Sequence, residues 1–164
     1  ETMLTDENRL WLQMNPPLRK PADRAALIEG LRAGVIDYLA TDHAPHTKEE
    51  KLKGTSGVPH LDTYGAFCTW LMTEQGFSPL QVARAASVNP GAFVKPYLAP
   101  GLGEGFGKIA PGYVGSLAVL DPDAPKVIIE VDLKTKCAWS PFTGVEFPGQ
   151  VRATIIKGRI YARP

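Results

Sequence analysis

Val35-Ile-Asp-Tyr-Leu-Ala-Thr-Asp-His-Ala-Pro-His46 is the stretch on which the fold turns. Tyr38, Leu39 and Ala40 carry no polar break between them, the pattern of a parallel strand covered on both faces. The run becomes polar at Thr41, and Pro45 ends any regular ladder. A carboxylate and two imidazoles, Asp42, His43 and His46, therefore follow directly on a buried strand. That is where α/β barrels and open sheets carry their chemistry.

Upstream, Asn15-Pro-Pro-Leu-Arg19 presents an amide and a guanidinium on a stiff extended loop, because each proline excludes the helical region for the residue before it. An ordinary surface turn with an exposed arginine accounts for the same residues. Pro21 then opens a helix with an apolar stripe of Ala25, Ala26, Leu27, Leu31 and Ala33, and Gly34 is placed to end it. Helix, buried strand and reactive loop in this order make one step of a parallel sheet.

Downstream, Thr47–Lys53 reads as a solvated charged segment, and Gly54-Thr-Ser-Gly57 as a turn able to bring backbone amides to a ligand. Asp62 is expected to cap a helix reaching about Gln75, with Tyr64, Phe67, Cys68, Trp70 and Leu71 inward. Ser78-Pro79 starts another helix to about Ser87, Asn89-Pro90 breaks it, and a short helix through Phe93 follows. Leu98-Ala-Pro-Gly-Leu-Gly-Glu-Gly-Phe-Gly107 fails the dinucleotide spacing, since Phe106 stands where the last glycine belongs, and reads as a linker. Beyond it, strands are expected at 114–120 and 126–131, and a hairpin joins 151–156 to 160–161 through Lys157-Gly158-Arg159. The organisation expected is a barrel part over 1–97, a linker over 98–107 and a small antiparallel β-sandwich module over 108–164.

Composition narrows the function classes. With 44% hydrophobic and 21% charged residues the chain is that of a soluble globular protein, and a formal charge of +1 provides no general attraction to nucleic acid or anionic membrane. No apolar run reaches the ~20 residues of a spanning helix. Cys68 and Cys137 have no metal-site spacing; two free thiols of a reducing cytoplasm is the reading preferred over a disulfide between them, which stays open. The chain opens at Glu1 in what reads as the middle of a connection, so it is expected to be a piece of a longer protein.

As bare chemistry, a carboxylate beside imidazoles can bind a divalent metal, and it can accept and return a proton. Loop Asp-His pairs also serve as plain surface hydrogen-bonding groups, so the pattern alone leaves both open. Asp42 and His43 are adjacent and diverge at a strand end, which argues against all three side chains ligating one zinc.

The combination is more specific than its parts. Asn15-Pro-Pro-Leu-Arg19, a capped helix and then Ala40-Thr-Asp-His-Ala-Pro-His46 resembles dihydroorotase of the amidohydrolase superfamily. The resemblance continues through Lys48-Glu-Glu-Lys51, Gly57-Val-Pro-His-Leu-Asp62, Asn89-Pro90 and Lys108-Ile-Ala-Pro-Gly-Tyr-Val-Gly-Ser-Leu117. It ends with Trp139-Ser-Pro-Phe-Thr-Gly144 and Thr154-Ile-Ile-Lys-Gly158.

The resemblance implies an α/β fold, the closing part of a (β/α)8 TIM-like barrel followed by the β module and incomplete on its own. It implies one or two Zn2+ ions and the reversible conversion of dihydroorotate to N-carbamoyl-aspartate in pyrimidine synthesis. Asp42 matches the aspartate that binds the metal, takes a proton from the attacking hydroxide and passes it to the leaving ring nitrogen. Asn15 and His46 match substrate contacts, Ser56 and Gly57 match turn residues near the ring, and Arg19 is a supporting group. His43 is expected as a hydrogen-bonding neighbour of the site rather than a ligand, and His60 as a packing residue.

The departures are as informative. The family's His-x-His pair and later metal-binding histidines have no counterpart among the three histidines here, and a whole barrel takes about 200–250 residues. The missing strands and ligands are expected from an N-terminal fragment of the same protein. A homodimer, or a complex with aspartate transcarbamoylase, is the further assembly the resemblance suggests. Two other readings stay open: a cyclic amidohydrolase of the dihydropyrimidinase, hydantoinase or allantoinase kind, and a catalytically silent subunit that scaffolds aspartate transcarbamoylase.

Overall fold

Helix α1 runs over Pro21–Arg32, close to the span its proline and glycine predict. The Asp23 carboxylate accepts from the Lys20 N–H at 3.1 Å, and the Gly34 N–H returns to the Leu31 carbonyl at 3.2 Å to close the last turn. This is a computed structural model, and it describes residue 5 and residues 7–162. The expected apolar stripe of α1 is not covered, for no residue of the helix is buried.

The strand expected over Val35–Ala40 does not form. A parallel strand exists only as part of a ladder. Here the Leu39 N–H donates to the carbonyl of Ala85, a residue of no strand, at 3.1 Å. Val35, read as buried, is 80% exposed. The hydrophobic pattern is present, but the described residues contain no strand to pair with it.

Helix α2, Lys48–Leu52, is held by a capping box in which Thr47 and Glu50 exchange side-chain and backbone bonds. This corrects the view of 47–53 as merely solvated, since Lys51 on its inner face is fully buried. A 3-10 turn over Leu61–Thr63 leads into α3, Tyr64–Thr73. Asp62 is not its cap. Its carboxylate accepts instead from the N–H groups of Lys134 and Thr135, both at 3.0 Å, and from the Thr135 hydroxyl.

Ser78 and Gln81 form the expected capping box ahead of α4, Pro79–Ala83. Asn89-Pro90 does not break the helical path as expected. The turn Arg84–Val88 widens to π geometry, with the Asn89 N–H reaching the Arg84 carbonyl. That widening accommodates the ring and missing donor of Pro90, and α5 continues over Asn89–Val94.

The later chain is β-rich, with shorter strands than expected: β1 Leu117–Asp121, β2 Lys126–Val127, β3 Glu146–Phe147, β4 Gln150–Ile156 and β5 Arg159–Ala162. Residues 128–131 leave the expected strand, and Glu130–Asp132 forms a 3-10 turn. β1, β4 and β5 make an antiparallel sheet in that order, and β2 pairs with β3. The β4–β5 hairpin turns on Lys157 and Gly158, at φ +49° and +82°, the left-handed pair that a two-residue turn between twisted strands requires. A register shift between Val119 and Leu120 makes Arg152 the extra residue of β4. Its Nε bonds the Asp121 carboxylate at 2.8 Å.

The chain divides into two compact units. One takes the described residues up to Glu29 with Thr41–Tyr64 and Val127–Glu146, and the other takes Gly30–Ala40, Gly65–Lys126 and Phe147 onward. The second buries Cys68, Leu71, Phe77, Val82 and Phe147. The first buries Val58, Ile128 and Trp139 together with Lys51, Thr63 and Ser140.

Candidate functional site

Every candidate site residue, Asn15, Arg19, Asp42, His43, His46, Ser56 and Gly57, lies in the first unit. Asp42 heads the loop 41–46 with an exposed side chain and φ +43°. A left-handed non-glycine residue costs of order 1–3 kcal/mol where strained, and such positions gather at functional sites. Aspartate tolerates the region better than most residues.

His43 is anchored through its ring. Its Nδ1 accepts from the N–H groups of His60 and Leu61, at 3.0 and 3.1 Å. That leaves Nδ1 unavailable to a cation and, in the neutral ring, puts the proton on Nε2. His60 lies against Phe142 with ring centroids 5.5 Å apart. Burial holds its pKa below the ordinary value, the His43 ring adds to this, and the Asp42 charge opposes it.

His46 closes the loop and is fixed from three sides. Its carbonyl accepts from Trp139 Nε1 at 2.7 Å. Its Nδ1 stands 3.5 Å from the Glu50 carboxylate. That carboxyl is held below its ordinary pKa by the Thr47 backbone N–H first, with the His46 charge assisting. The third side is Gly57, at φ +119°, where an added Cβ would come 3.2 Å from the His46 Cδ2 and 3.3 Å from its Nε2. No L side chain fits that conformation and that gap together. Ala44 is closer still, its Cβ 2.6 Å from that position, so the backbone at Gly57, eleven residues on from His46, stands beside the loop with no room for a side chain between them.

A third segment joins them through Gln13, a residue that sequence reasoning missed. The Gly57 N–H donates to the Gln13 carbonyl at 2.9 Å. Gln13 Nε2 in turn donates to the Gly54 carbonyl at 2.7 Å and to the Ser56 hydroxyl at 3.2 Å. Asn15 follows two residues later, exposed, at a cis peptide bond to Pro16. Arg19 lies on the exposed run ahead of α1. The geometry therefore sets Gly57 beside His46 and ties Ser56 and Gly57 to Gln13, two residues ahead of Asn15, while among the described residues no bond given by the structure joins Asp42 or Arg19 to this group. A hollow of about 600 Å3 in this unit is lined by Trp11, Leu12, Lys48, Glu130, Trp139 and Ser140 among others. Asp42, His46 and Asn15 do not line it, so it is the setting of Trp139 rather than the site.

Lys51 and Trp139 were also missed as single residues. The one signal was the spelling Thr47-x-x-Glu50, which announces a helical turn and hence an inner face. Which lysine occupies that face is decided by packing.

Zinc is held by three or four His, Cys, Asp or Glu side chains. Among the described residues no group of three or more such side chains is placed to hold a metal ion. Asp42, exposed at the loop's head, fits as one donor, and the described residues do not assemble a metal site by themselves.

A model of the amidohydrolase family matches residues 4–161. The chain is 35% identical over 149 residues to a dihydroorotase of Clostridium botulinum (strain Eklund 17B / Type B), covering 90% of this chain and 35% of that protein. It is 36% identical over 154 residues to a dihydroorotase of Bacillus subtilis (strain 168), covering 90% and 34%. It thus spans about a third of the length of the curated relatives it matches.

Among solved structures, the L-hydantoinase (dihydropyrimidinase) from Arthrobacter aurescens superposes with a TM-score of 0.81 at 23% identity, covering 98% of this chain and 37% of that one. The D-hydantoinase (dihydropyrimidinase) from Thermus sp. gives 0.76 at 24%, covering 94% and 34%. At that identity the likeness speaks for the fold, part of a TIM-barrel-type α/β architecture. With the family model matched from residue 4 to residue 161, the chain belongs to the amidohydrolase family.

Proposed function

We propose that the protein containing this chain is a dihydroorotase, opening the cyclic amide of dihydroorotate to N-carbamoyl-aspartate and closing it again. The observation that carries the reading is that the loop opening on the left-handed, exposed Asp42 brings His46 beside the backbone of Gly57. The likeness to dihydroorotases over nine-tenths of the chain supports the choice of substrate.

In this reading Asp42 does two jobs. Its carboxylate takes a proton from the attacking water and returns it to the ring nitrogen as the C–N bond breaks, so no free amide anion has to leave. Asn15 and His46 bind polar edges of the substrate, and the Ser56-Gly57 turn offers backbone groups beside the ring. His43, with Nδ1 committed to the 60–61 backbone, holds the loop at its head. Zinc, with Asp42 as one ligand and the others outside the described residues, would supply Lewis-acid activation of water and of the amide carbonyl. The chain then forms the closing part of the barrel, and the rest of the same cytoplasmic protein supplies the other strands.

Turnover of the full-length protein on dihydroorotate, beside dihydrouracil, hydantoin and allantoin, tests the substrate. Asp42→Ala is expected to lower kcat at least a thousandfold, and near-normal turnover would remove Asp42 from the chemistry. The hydantoinase neighbours favour a second reading, in which dihydrouracil or hydantoin is the preferred substrate. A silent subunit that scaffolds aspartate transcarbamoylase would turn over none of the four.

A further inference from the structure

We propose that Lys51 is a positioning residue for this site, its ammonium ion locking the 13–15 segment and the 54–57 turn into one frame that sets where His46, Ser56 and Asn15 stand. The proposal rests on the dihydroorotase reading for its substrate, and on the geometry alone for the frame.

Lys51 is 0% exposed. Lysine is almost never fully buried without partners for its charge. Its Nζ donates to the carbonyls of Gln13 at 3.1 Å, Thr55 at 2.7 Å and Gly57 at 2.8 Å. An ammonium has three protons and no acceptor, so all three are used on backbone oxygens. The Trp139 ring lies 5.9 Å from the same nitrogen, within cation–π range.

Three converging carbonyls repel one another unless a compact cation stands between them. Planar guanidinium spreads its donors in a fork and cannot cap such a cluster in the same way. Each partner of Lys51 leads to a site residue. Gly57 leaves no room for a side chain beside the His46 imidazole, Thr55 directly precedes Ser56, Gln13 holds the Ser56 hydroxyl and precedes Asn15 by two residues, and Trp139 holds the His46 carbonyl. Burial also lowers the lysine pKa, the mark of an ammonium kept from water.

The test uses the full-length protein. Lys51→Met is expected to raise KM for dihydroorotate at least tenfold while kcat changes less than threefold, and Lys51→Arg is expected to give the same split despite keeping the charge. In Lys51→Ala, added n-propylammonium is expected to restore KM, and tetramethylammonium, which has no N–H, is not. A readout independent of turnover is 15N NMR. The Trp139 indole and His46 ring signals are expected to move in Lys51→Met more than the His43 ring does.

Wild-type KM in Lys51→Arg, or rescue by tetramethylammonium, would overturn the claim that three directed N–H groups matter. Unmoved Trp139 and His46 signals in a folded Lys51→Met would overturn the frame itself. If the wild-type protein proves inactive on dihydroorotate, the functional reading fails, and the NMR comparison still decides the frame. Should Lys51→Met fail to fold, Lys51→Arg carries both measurements.

Discussion

The two units have interiors of different make-up. In the second, Cys68, Leu71, Phe77, Val82, Ala85 and Phe147 make a mainly apolar interior, and its one fully buried polar side chain among the described residues, Thr69, donates within its own helix to the Ala66 carbonyl at 2.7 Å. In the first, a buried lysine is satisfied by three carbonyls, an imidazole by two amides and a carboxylate by two amides and a hydroxyl. Apolar packing is large in sum but non-directional. Hydrogen bonds add little net stability but fix direction, and they are costly when left unmade. All the candidate site residues belong to the unit organised by direction. One unit is built for cohesion, the other for aim.

The sharpest way to break this contrast is through the hydrocarbon side. Phe77→Ala, which removes a 4% exposed ring that also carries the Arg32 guanidinium 4.4 Å from its centroid, is expected to cost about 3–5 kcal/mol in urea unfolding. His43 and His46 ring signals should stay in place below the transition. Movement as large as that in Lys51→Met would show that the interiors are not separable.

The cysteines sharpen the same comparison. Burial pushes the Cys68 thiol up to about 11, so near neutrality it holds almost no thiolate, the reactive form. Cys137, in the polar unit, is partly exposed. Iodoacetamide is expected to label Cys137 about a hundredfold faster than Cys68 in the native protein, read by peptide mass spectrometry. Equal rates would mean that the second interior opens readily.

Asp62→Ala takes the carboxylate away from the Lys134 and Thr135 amides. It should cost about 2 kcal/mol, with hydrogen exchange accelerating at those two amides first. Uniform acceleration would argue against a unit held by local directional bonds.

The smallest effect lies at the α2 cap. Thr47→Ala is expected to cost about 1 kcal/mol. Glu50, held below its ordinary value of 4.5, is protonated less readily folded than unfolded. Its contribution is present above that value and fades as pH falls through the depressed folded pKa. In acid, the wild type should therefore lose part of its advantage over Glu50→Gln.

Legibility followed the range of the forces involved. The α1 span, the Ser78 cap and the Lys157-Gly158 turn rest on contacts within a few residues, and the sequence carries them openly. Asp42, His43 and His46 stand out as a group because they fall within five positions, and family likeness supplied the chemistry proposed for them. The 35–40 strand was misread because a strand's existence depends on partners elsewhere. Asp62 was misread because its carboxylate serves residues 134–135, more than seventy positions away. Asn89-Pro90 was misread because widening Arg84–Val88 by one residue per turn made room for the proline.

By itself the sequence determined the local stops and starts, the polar loop that carries the candidate chemistry and membership of the amidohydrolase family. Only the tertiary structure decided that Lys51 is buried, that Gln13 clasps the Gly54–Gly57 turn and that Gly57 stands beside His46. The physical reason is that a charge enters a protein interior only where partners gather to satisfy it, and here the nearby Thr55 and Gly57 carbonyls suffice only with the Gln13 carbonyl from thirty-eight residues away, which the fold alone brings up.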